Sequence, residues 1–261
     1  MCRWIAYRGA PVMMESLVAV PERSLIAQSF NASEGKTPIN GDGFGLGWYG
    51  ERAEPGLYRE VRPAWSDENL RSICAQVRSK LFFAHVRAST GSESARANCH
   101  PFAQGKFLFM HNGAIDDYES VRRRIDALIP DALYHARRGT TDSEALFLAA
   151  LGFDLAADPA AAMARMMKRV AGMLERANSA AHIHFTSALS DGENLWAFRW
   201  ASDGCAPSLY WRRKGEALIV VSEPLDNERA LWSEVPQGCM LTAKGGRIET
   251  QCMNAAIRKA A

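Results

Sequence analysis

The order of periodic segments predicts an α+β fold: antiparallel strands first, helices in the middle, strands again at the end, arranged as two stacked sheets covered by helices. Three observations carry this. The chain opens on a period-two alternation that puts Cys2, Trp4 and Ala6 on one face. Helix-start signals stand at Thr141 and at Asp158-Pro159. Beyond Ala181 the segments become short and β-rich, separated by Asp191-Gly192, Lys214-Gly215 and Gly245-Gly246.

The elements follow in order. Cys2 to Tyr7 reads as a strand ended by Arg8-Gly9, with the thiol at its mouth. A polar loop from Asn31 to Asn40 leads to Gly41-Asp42-Gly43-Phe44-Gly45-Leu46-Gly47-Trp48-Tyr49 and then to a strand near Leu57 to Arg62. Ser66 is expected to cap a helix with Asp67 and Glu68 in its first turn, running to about Arg78. The strand Lys80 to Ala88 places Phe83, His85 and Arg87 on one face and Phe82, Ala84 and Val86 on the other. A second aromatic strand, Lys106 to His111, is expected to stop at a turn formed by Asn112-Gly113. Helices are expected at about Asp117 to Leu128, from Thr141 to Leu151 behind a Thr141/Glu144 capping box, and from Asp158-Pro159 to about Ala177. The segments Ala181–Leu189, Asn194–Ala201, Leu209–Arg213, Ala217–Val221, Cys239–Ala243 and Arg247–Gln251 read as an antiparallel meander.

The 261 residues, 48% of them hydrophobic, can bury a substantial core, and no linker, repeat or low-complexity stretch divides them. One domain over residues 1–261 is expected. No apolar run approaches the ~20 residues that span a bilayer, and the N-terminus lacks a secretory apolar stretch, so a cytoplasmic location is expected, with no membrane partner. The six cysteines, at 2, 74, 99, 205, 239 and 252, form no C-x-x-C pair and no zinc-like Cys/His spacing, and free thiols are expected. A net charge of +2 gives no electrostatic case for nucleic acid. The short runs Arg122-Arg123-Arg124 and Arg212-Arg213-Lys214 read as solvated edges.

Several residues carry chemistry. If Met1 is removed, Cys2 combines a thiol with a free α-amine whose reference pKa is about 8, a nucleophile and a proton relay on one residue. Taken alone, a second-position cysteine is also simply the start of a strand. Arg87 ends a strand that looks buried, where its guanidinium needs a carboxylate; bidentate capture of an α-carboxylate and an internal salt bridge are equal readings. Asn112 and Gly113 offer a side-chain amide and a glycine N–H, the parts of an oxyanion hole, or a plain turn. Asp142 suits a substrate ammonium, or only the first turn of its helix. The Gly41–Gly47 run has neither phosphate-loop nor dinucleotide spacing and reads as close backbone packing beneath Trp48 and Tyr49. His182 and His184 share a strand face without a third ligand and read as structural, so no metal and no cofactor is expected.

Together and in this order, Met1-Cys2, Asp42-Gly43-Phe44-Gly45-Leu46-Gly47-Trp48, Ala84-His85-Val86-Arg87, Asn98-Cys99-His100-Pro101-Phe102, His111-Asn112-Gly113 and Thr141-Asp142-Ser143-Glu144 resemble the glutaminase domain of class II glutamine amidotransferases. The resemblance spans nearly the whole chain and is greatest to compact stand-alone members such as the γ-glutamyl amidohydrolases of ergothioneine synthesis. It implies an N-terminal nucleophile fold, a four-layer αββα sandwich of two antiparallel sheets between helices. It also implies roles: Cys2 attacks the γ-carbonyl, Asn112 and Gly113 hold the oxyanion, Arg87 binds the α-carboxylate, Asp142 binds the α-ammonium, and Thr90 and His100 line the pocket. Two positions depart from many synthase-type members, which carry tryptophan at Ala88 and histidine at Gly91.

The expected activity is therefore an amidohydrolase that forms a γ-glutamyl thioester on Cys2 and releases glutamate from glutamine or a γ-glutamyl amide. A glutaminase subunit feeding ammonia to a separate synthase is the alternative, since no synthase-like region follows. A non-catalytic binding protein retaining the fold is the third reading, against which the intact set of site residues argues. The amine leaving group stays unread, and the hydrophobic pattern leaves a homo-oligomer open.

Overall fold

The computed structural model describes residues 2–34, 37–89, 91 and 93–253. In chain order its elements are β1 (Arg3–Met13), α1 (Glu15–Val18), α2 (Leu25–Phe30), β2 (Phe44–Trp48), β3 (Gly56–Glu60), α3 (Glu68–Gln76), β4 (Arg78–Val86), β5 (Phe102–Gln104), β6 (Phe107–Ile115), α4 (Tyr118–Asp126), α5 (Asp131–Tyr134), α6 (Asp142–Leu151), α7 (Pro159–Ala177), β7 (Ile183–Ser190), β8 (Leu195–Ala201), β9 (Tyr210–Lys214), β10 (Ala217–Val221), β11 (Ser233–Glu234), β12 (Cys239–Lys244) and β13 (Arg247–Cys252). One sheet runs β11-β9-β10-β1-β4-β2-β3 and the other β13-β12-β8-β7-β6-β5. Adjacent strands in both are antiparallel.

Three apolar layers hold the stack together. Ile5, Tyr7, Phe82, Ala84 and Val86 point outward from the first sheet and pack with Val18, Leu25, Ile26 and Leu70 from α1 to α3. Trp4, Ala6 and Phe83 point inward and meet Leu108, Met110, Ala188, Ala197 and Leu241 of the second sheet. Phe109, Phe185 and Phe198 cover that sheet's other face, beneath Val121, Phe147, Met163 and Val170 of α4, α6 and α7. The period-two alternation predicted for Cys2–Ala6 and for Phe82–Arg87 therefore sets which residues lie between the sheets.

Local chemistry ends the helices as expected in some places and not in others. Asp158 caps α7, accepting from Ala161 N–H at 3.1 Å, with Pro159 at the first helical position. Helix α3 is capped by Asp67 rather than Ser66: Asp67 Oδ1 accepts from Leu70 N–H at 2.7 Å, while Ser66 closes a separate 3₁₀ turn. The capping box at α6 is half made. Thr141 Oγ1 accepts from Glu144 N–H, but the Glu144 carboxylate turns away to Arg137 Nη1 at 2.8 Å and to the N–H groups of Arg138 and Gly139.

Further expectations are overturned. The first strand does not end at Arg8-Gly9 but runs on to Met13, with Val12 and Met13 still paired to β4. No turn forms at Asn112-Gly113: β6 runs through both to Ile115, because β7 pairs with it as far as Ile115↔Ile183. The chain reverses earlier, at Gly105-Lys106, where Gly105 takes a φ of 54° and closes the β5–β6 hairpin. Nor do the C-terminal strands form one meander. Strands β9 and β10 cross to the first sheet, where β10 lies against β1, while β7, β8, β12 and β13 stay in the second. Both edges of β1 present backbone N–H and C=O groups that need partners, and β4 pairs with only one of them.

Candidate active site

Cys2 precedes β1, and the pairing of Arg3 with Val86 brings it opposite Arg87, just past the end of β4. Ala88 N–H donates to Cys2 Sγ at 3.4 Å. Burial pushes the thiol up from its ordinary value, opposed by that N–H and by the positive charges of Arg87 and Arg3. Arg87 is 3% exposed. Its guanidinium reaches Asp42 O at 3.2 Å, Ser89 Oγ at 3.1 Å and Glu93 O at 3.2 Å. Asp42 in turn accepts from Ser89 N–H at 2.7 Å, so Asp42 is braced against both Arg87 and Ser89.

The middle of β6 carries the second half. The ladder alternates: Asp116 N–H bonds back to His182 O next to β7, whereas Ile115 N–H turns the other way and donates to Asp142 Oδ2 at 2.9 Å. Strand alternation sends the Gly113 N–H to the same side as Ile115. That side is uncovered by β5, whose pairing ends at Phe102↔Phe109. Only glycine fits at 113, where φ is 155° and a Cβ would lie 1.9 Å from His184 O. The Asn112 side chain shares the inner face with Leu108 and Met110. It is 1% exposed, and neither its Oδ1 nor its Nδ2 has a hydrogen-bond partner among the described residues.

Helix α6 brings Asp142 to this edge. Its Oδ1 accepts from Ser143 N–H at 2.7 Å, and Ser143 Oγ meets His111 Nδ1 at 2.8 Å, linking the helix N-terminus to the outer face of β6. His111 is held low by burial, with the Asp142 charge opposing.

His100 enters over a floor of alternating glycines. A Cβ at Gly43 would meet Cys99 Sγ at 2.6 Å, one at Gly45 would meet His100 O at 2.2 Å, and one at Gly47 would meet Leu108 and Pro101 at 2.7 Å. The close packing predicted for this run is real, and the segment lying on it is Cys99–Pro101. The His100 ring lies 4.3 Å from that of His85, tilted by 31°. Burial keeps both imidazoles neutral, His85 down to about 3. Thr90 and Met1 lie outside the described residues.

Sequence reasoning gave no role to Asn98, yet it ties the two halves together. Its Nδ2 donates to Glu93 O at 2.9 Å and to Thr140 Oγ1 at 3.1 Å, while its Oδ1 accepts from Thr140 N–H at 2.8 Å. The Arg87 loop and the Asp142 helix are thereby clamped to each other. The signal was present in Asn98-Cys99-His100, but a polar residue in a loop shows no partner until the fold supplies one. His184 pairs with Asp203 at 3.1 Å, and no group of three metal-ligating side chains occurs among the described residues. An open groove of about 610 Å³ lies between α4 and α5, lined by Glu119, Arg122, Asp126 and Tyr134, and none of the predicted site residues lines it.

Two antiparallel sheets between helices, with the chain's first strand central in one of them, define an N-terminal nucleophile sandwich. The glutamine phosphoribosylpyrophosphate amidotransferase of B. subtilis shares the fold, at TM-score 0.61 and 13% identity, over 97% of this chain and 49% of that one. A solved glutamine aminotransferase class-II domain protein from Silicibacter pomeroyi is 38% identical, covering 96% of this chain and 99% of its own, with a TM-score of 0.77. The probable glutamine amidotransferase DUG3 of Saccharomyces cerevisiae is 32% identical over 94% of this chain and 82% of its own length. The gamma-glutamyl-hercynylcysteine sulfoxide hydrolase of Mycolicibacterium smegmatis is 26% identical over 95% and 98%. The family model for class-II glutamine amidotransferases matches residues 14–205. The chain belongs to that family and is an enzyme of its type.

Proposed function

We propose that this enzyme hydrolyses the γ-glutamyl amide bond of glutamine or a γ-glutamyl amide through a thioester on Cys2, with residues 1–261 acting as one glutaminase-like domain. The observation that carries the reading is the open edge of β6. Asp142 takes the Ile115 N–H there, the Gly113 N–H faces the same side two residues earlier, and the buried Asn112 amide adjoins it.

In this reading Met1 is removed and the Cys2 thiol passes its proton to the freed α-amine as Sγ attacks the γ-carbonyl carbon. The oxyanion is received by Gly113 N–H and Asn112 Nδ2. The protonated amine of Cys2 returns the proton to the leaving nitrogen, the C–N bond breaks, and water then cleaves the thioester to glutamate. Arg87 binds the α-carboxylate, Asp142 binds the α-ammonium, and His100 lines the pocket, as would Thr90. Departure of a larger amine is supported by the hydrolase named among the relatives. Transfer of ammonia to a separate synthase is the neighbouring reading, favoured by the name of the yeast relative.

The test is intact mass before and after 6-diazo-5-oxo-norleucine, alongside a Cys2→Ala control. Loss of Met1 and one adduct absent from the control supports the reading; retained Met1 with no adduct overturns it. Steady turnover of glutamine or γ-glutamyl amides by the isolated protein separates hydrolase from partner-dependent glutaminase.

A further inference from the structure

Two cysteines far from the reaction face each other on the edge hairpin of the second sheet. Strands β12 and β13 are joined through Gly245-Gly246, and the register puts Cys239 directly opposite Cys252. Directly opposed residues in an antiparallel pair project to the same face with Cα atoms about 4.5–5.5 Å apart, inside the window a disulfide needs. The two Sγ atoms are in contact, 2.9 Å apart, and both thiols are free. The register is pinned beyond the pair as well: Met253 N–H donates to Gly238 O at 2.7 Å, and Gly238 N–H to Arg199 O at 2.8 Å. Cys252 cannot slide away from its partner without breaking that anchor.

We propose that Cys239 and Cys252 are a thiol-oxidation site, forming a reversible disulfide that staples edge strand β13 to β12. The two positions divide the work. Cys252 is exposed on the edge strand, while Cys239 is 2% exposed within the inter-sheet core. Exposure makes Cys252 the first thiol that a solvent-borne oxidant reaches, while burial pushes the Cys239 thiol up. With a low-molecular-weight disulfide RS–SR as oxidant, the Cys252 thiolate attacks one sulfur, the RS–SR bond breaks, and RS⁻ leaves and takes up a proton. Cys239 then loses its proton to solvent and attacks Cys252 Sγ, releasing the second RSH. Two protein thiols are oxidised and one RS–SR is reduced to two RSH.

The staple closes the hairpin where it is weakest. Most of β13 is exposed, and as the last strand of its sheet it has one unpaired edge. A pair with one thiol exposed on such an edge answers to the redox state of its surroundings, unlike a disulfide with both sulfurs buried. The site is separate from the reaction proposed at Cys2, which precedes β1 of the first sheet, and from Asn112 and Gly113 on β6, with β8 and β7 lying between β12 and β6.

The experiment treats the folded protein with 2-hydroxyethyl disulfide, blocks remaining thiols with N-ethylmaleimide, and maps peptides by mass spectrometry. The expected product is a Cys239–Cys252 cross-linked peptide, lighter by the two hydrogens lost and restored to two alkylatable thiols by dithiothreitol. In Cys239→Ser the expected product is Cys252 held as the mixed disulfide with the probe; in Cys252→Ser, Cys239 stays unreacted. Either variant suffices if the other fails to fold. Hydrogen exchange along β13 should slow on oxidation of the natural chain. Both thiols found alkylated after oxidant, a stable mixed disulfide on Cys252 of the natural chain, or a link from Cys252 to the exposed Cys205 would overturn the proposal.

Discussion

Asn112 shows how much a single side chain can be asked to do. An amide buried to 1% exposure, with both polar atoms lacking partners among the described residues, is costly by about 1–3 kcal/mol per orphaned group unless something polar meets it. A developing oxyanion would be such a partner. Asn112→Ala should therefore lower kcat for γ-glutamyl amide hydrolysis by about 10²–10³ with little change in KM; steady-state kinetics that move KM alone would contradict the assignment. The buried imidazoles make a prediction about acid. His85 is held neutral down to about 3, whereas an unfolded histidine titrates near 6.5. Below about pH 6.5 the unfolded chain binds a proton that the native site refuses, so stability falls on acidification from there. His85 alone should remove on the order of 1 kcal/mol by about pH 5.5, with His100 and His111 acting in the same direction. Urea midpoints compared at about pH 7.5 and 5.5 read this directly, and equal midpoints would mean the imidazoles are not refused their protons.

At the scale of elements, α6 and β2 matter most. Thr141 caps α6 and so holds Asp142 against β6. Thr141→Ala should cost about 1 kcal/mol in thermal unfolding and raise KM more than it lowers kcat, because the group displaced is the proposed ammonium binder. A fall in kcat alone would place Asp142 elsewhere in the reaction. The glycines of β2 act as absence: Gly45 leaves room for His100 O, which a methyl would approach to 2.2 Å. Backbone on both sides of that contact cannot yield cheaply, so Gly45→Ala should destabilise by about 1–3 kcal/mol. The measurement is a chemical denaturation curve, and a neutral result would show that Cys99–Pro101 can lift off its floor.

The molecule as a whole is tied together beside the nucleophile. Arg3, 0% exposed, pairs through Nε with Glu223 at 3.5 Å. Glu223 also accepts from Ser33 N–H at 3.0 Å and Glu34 N–H at 3.0 Å, and pairs with Arg23. One buried carboxylate thus joins the first strand, the segment after α2 and the chain that follows β10. Removing it leaves Arg3 as an uncompensated buried charge, and Glu223→Ala should cost about 3–5 kcal/mol in equilibrium unfolding. A loss below about 1 kcal/mol would mean that water reaches Arg3. No helix among the described residues is long and apolar enough to cross a membrane.

Much of this was legible in the residues themselves. The alternation of Cys2–Ala6 and of Phe82–Arg87 assigned inner and outer faces, Asp158-Pro159 started α7 where it begins, and the ordered motifs pointed to the family. These are local properties: a period or a cap is decided within one or two turns of chain. What only the tertiary structure decided involves partners distant in sequence. Asn112-Gly113 has a turn signature, yet β7, some 70 residues later, supplies a ladder that outweighs it and leaves the Gly113 N–H on an open edge. The division of the C-terminal strands between two sheets follows from which edge of β1 was still uncovered. The clamp from Asn98 to Thr140 spans two loops whose polar composition looks alike from sequence. Periodicity tells which face a residue takes, but what waits opposite that face is settled only when the chain has closed on itself.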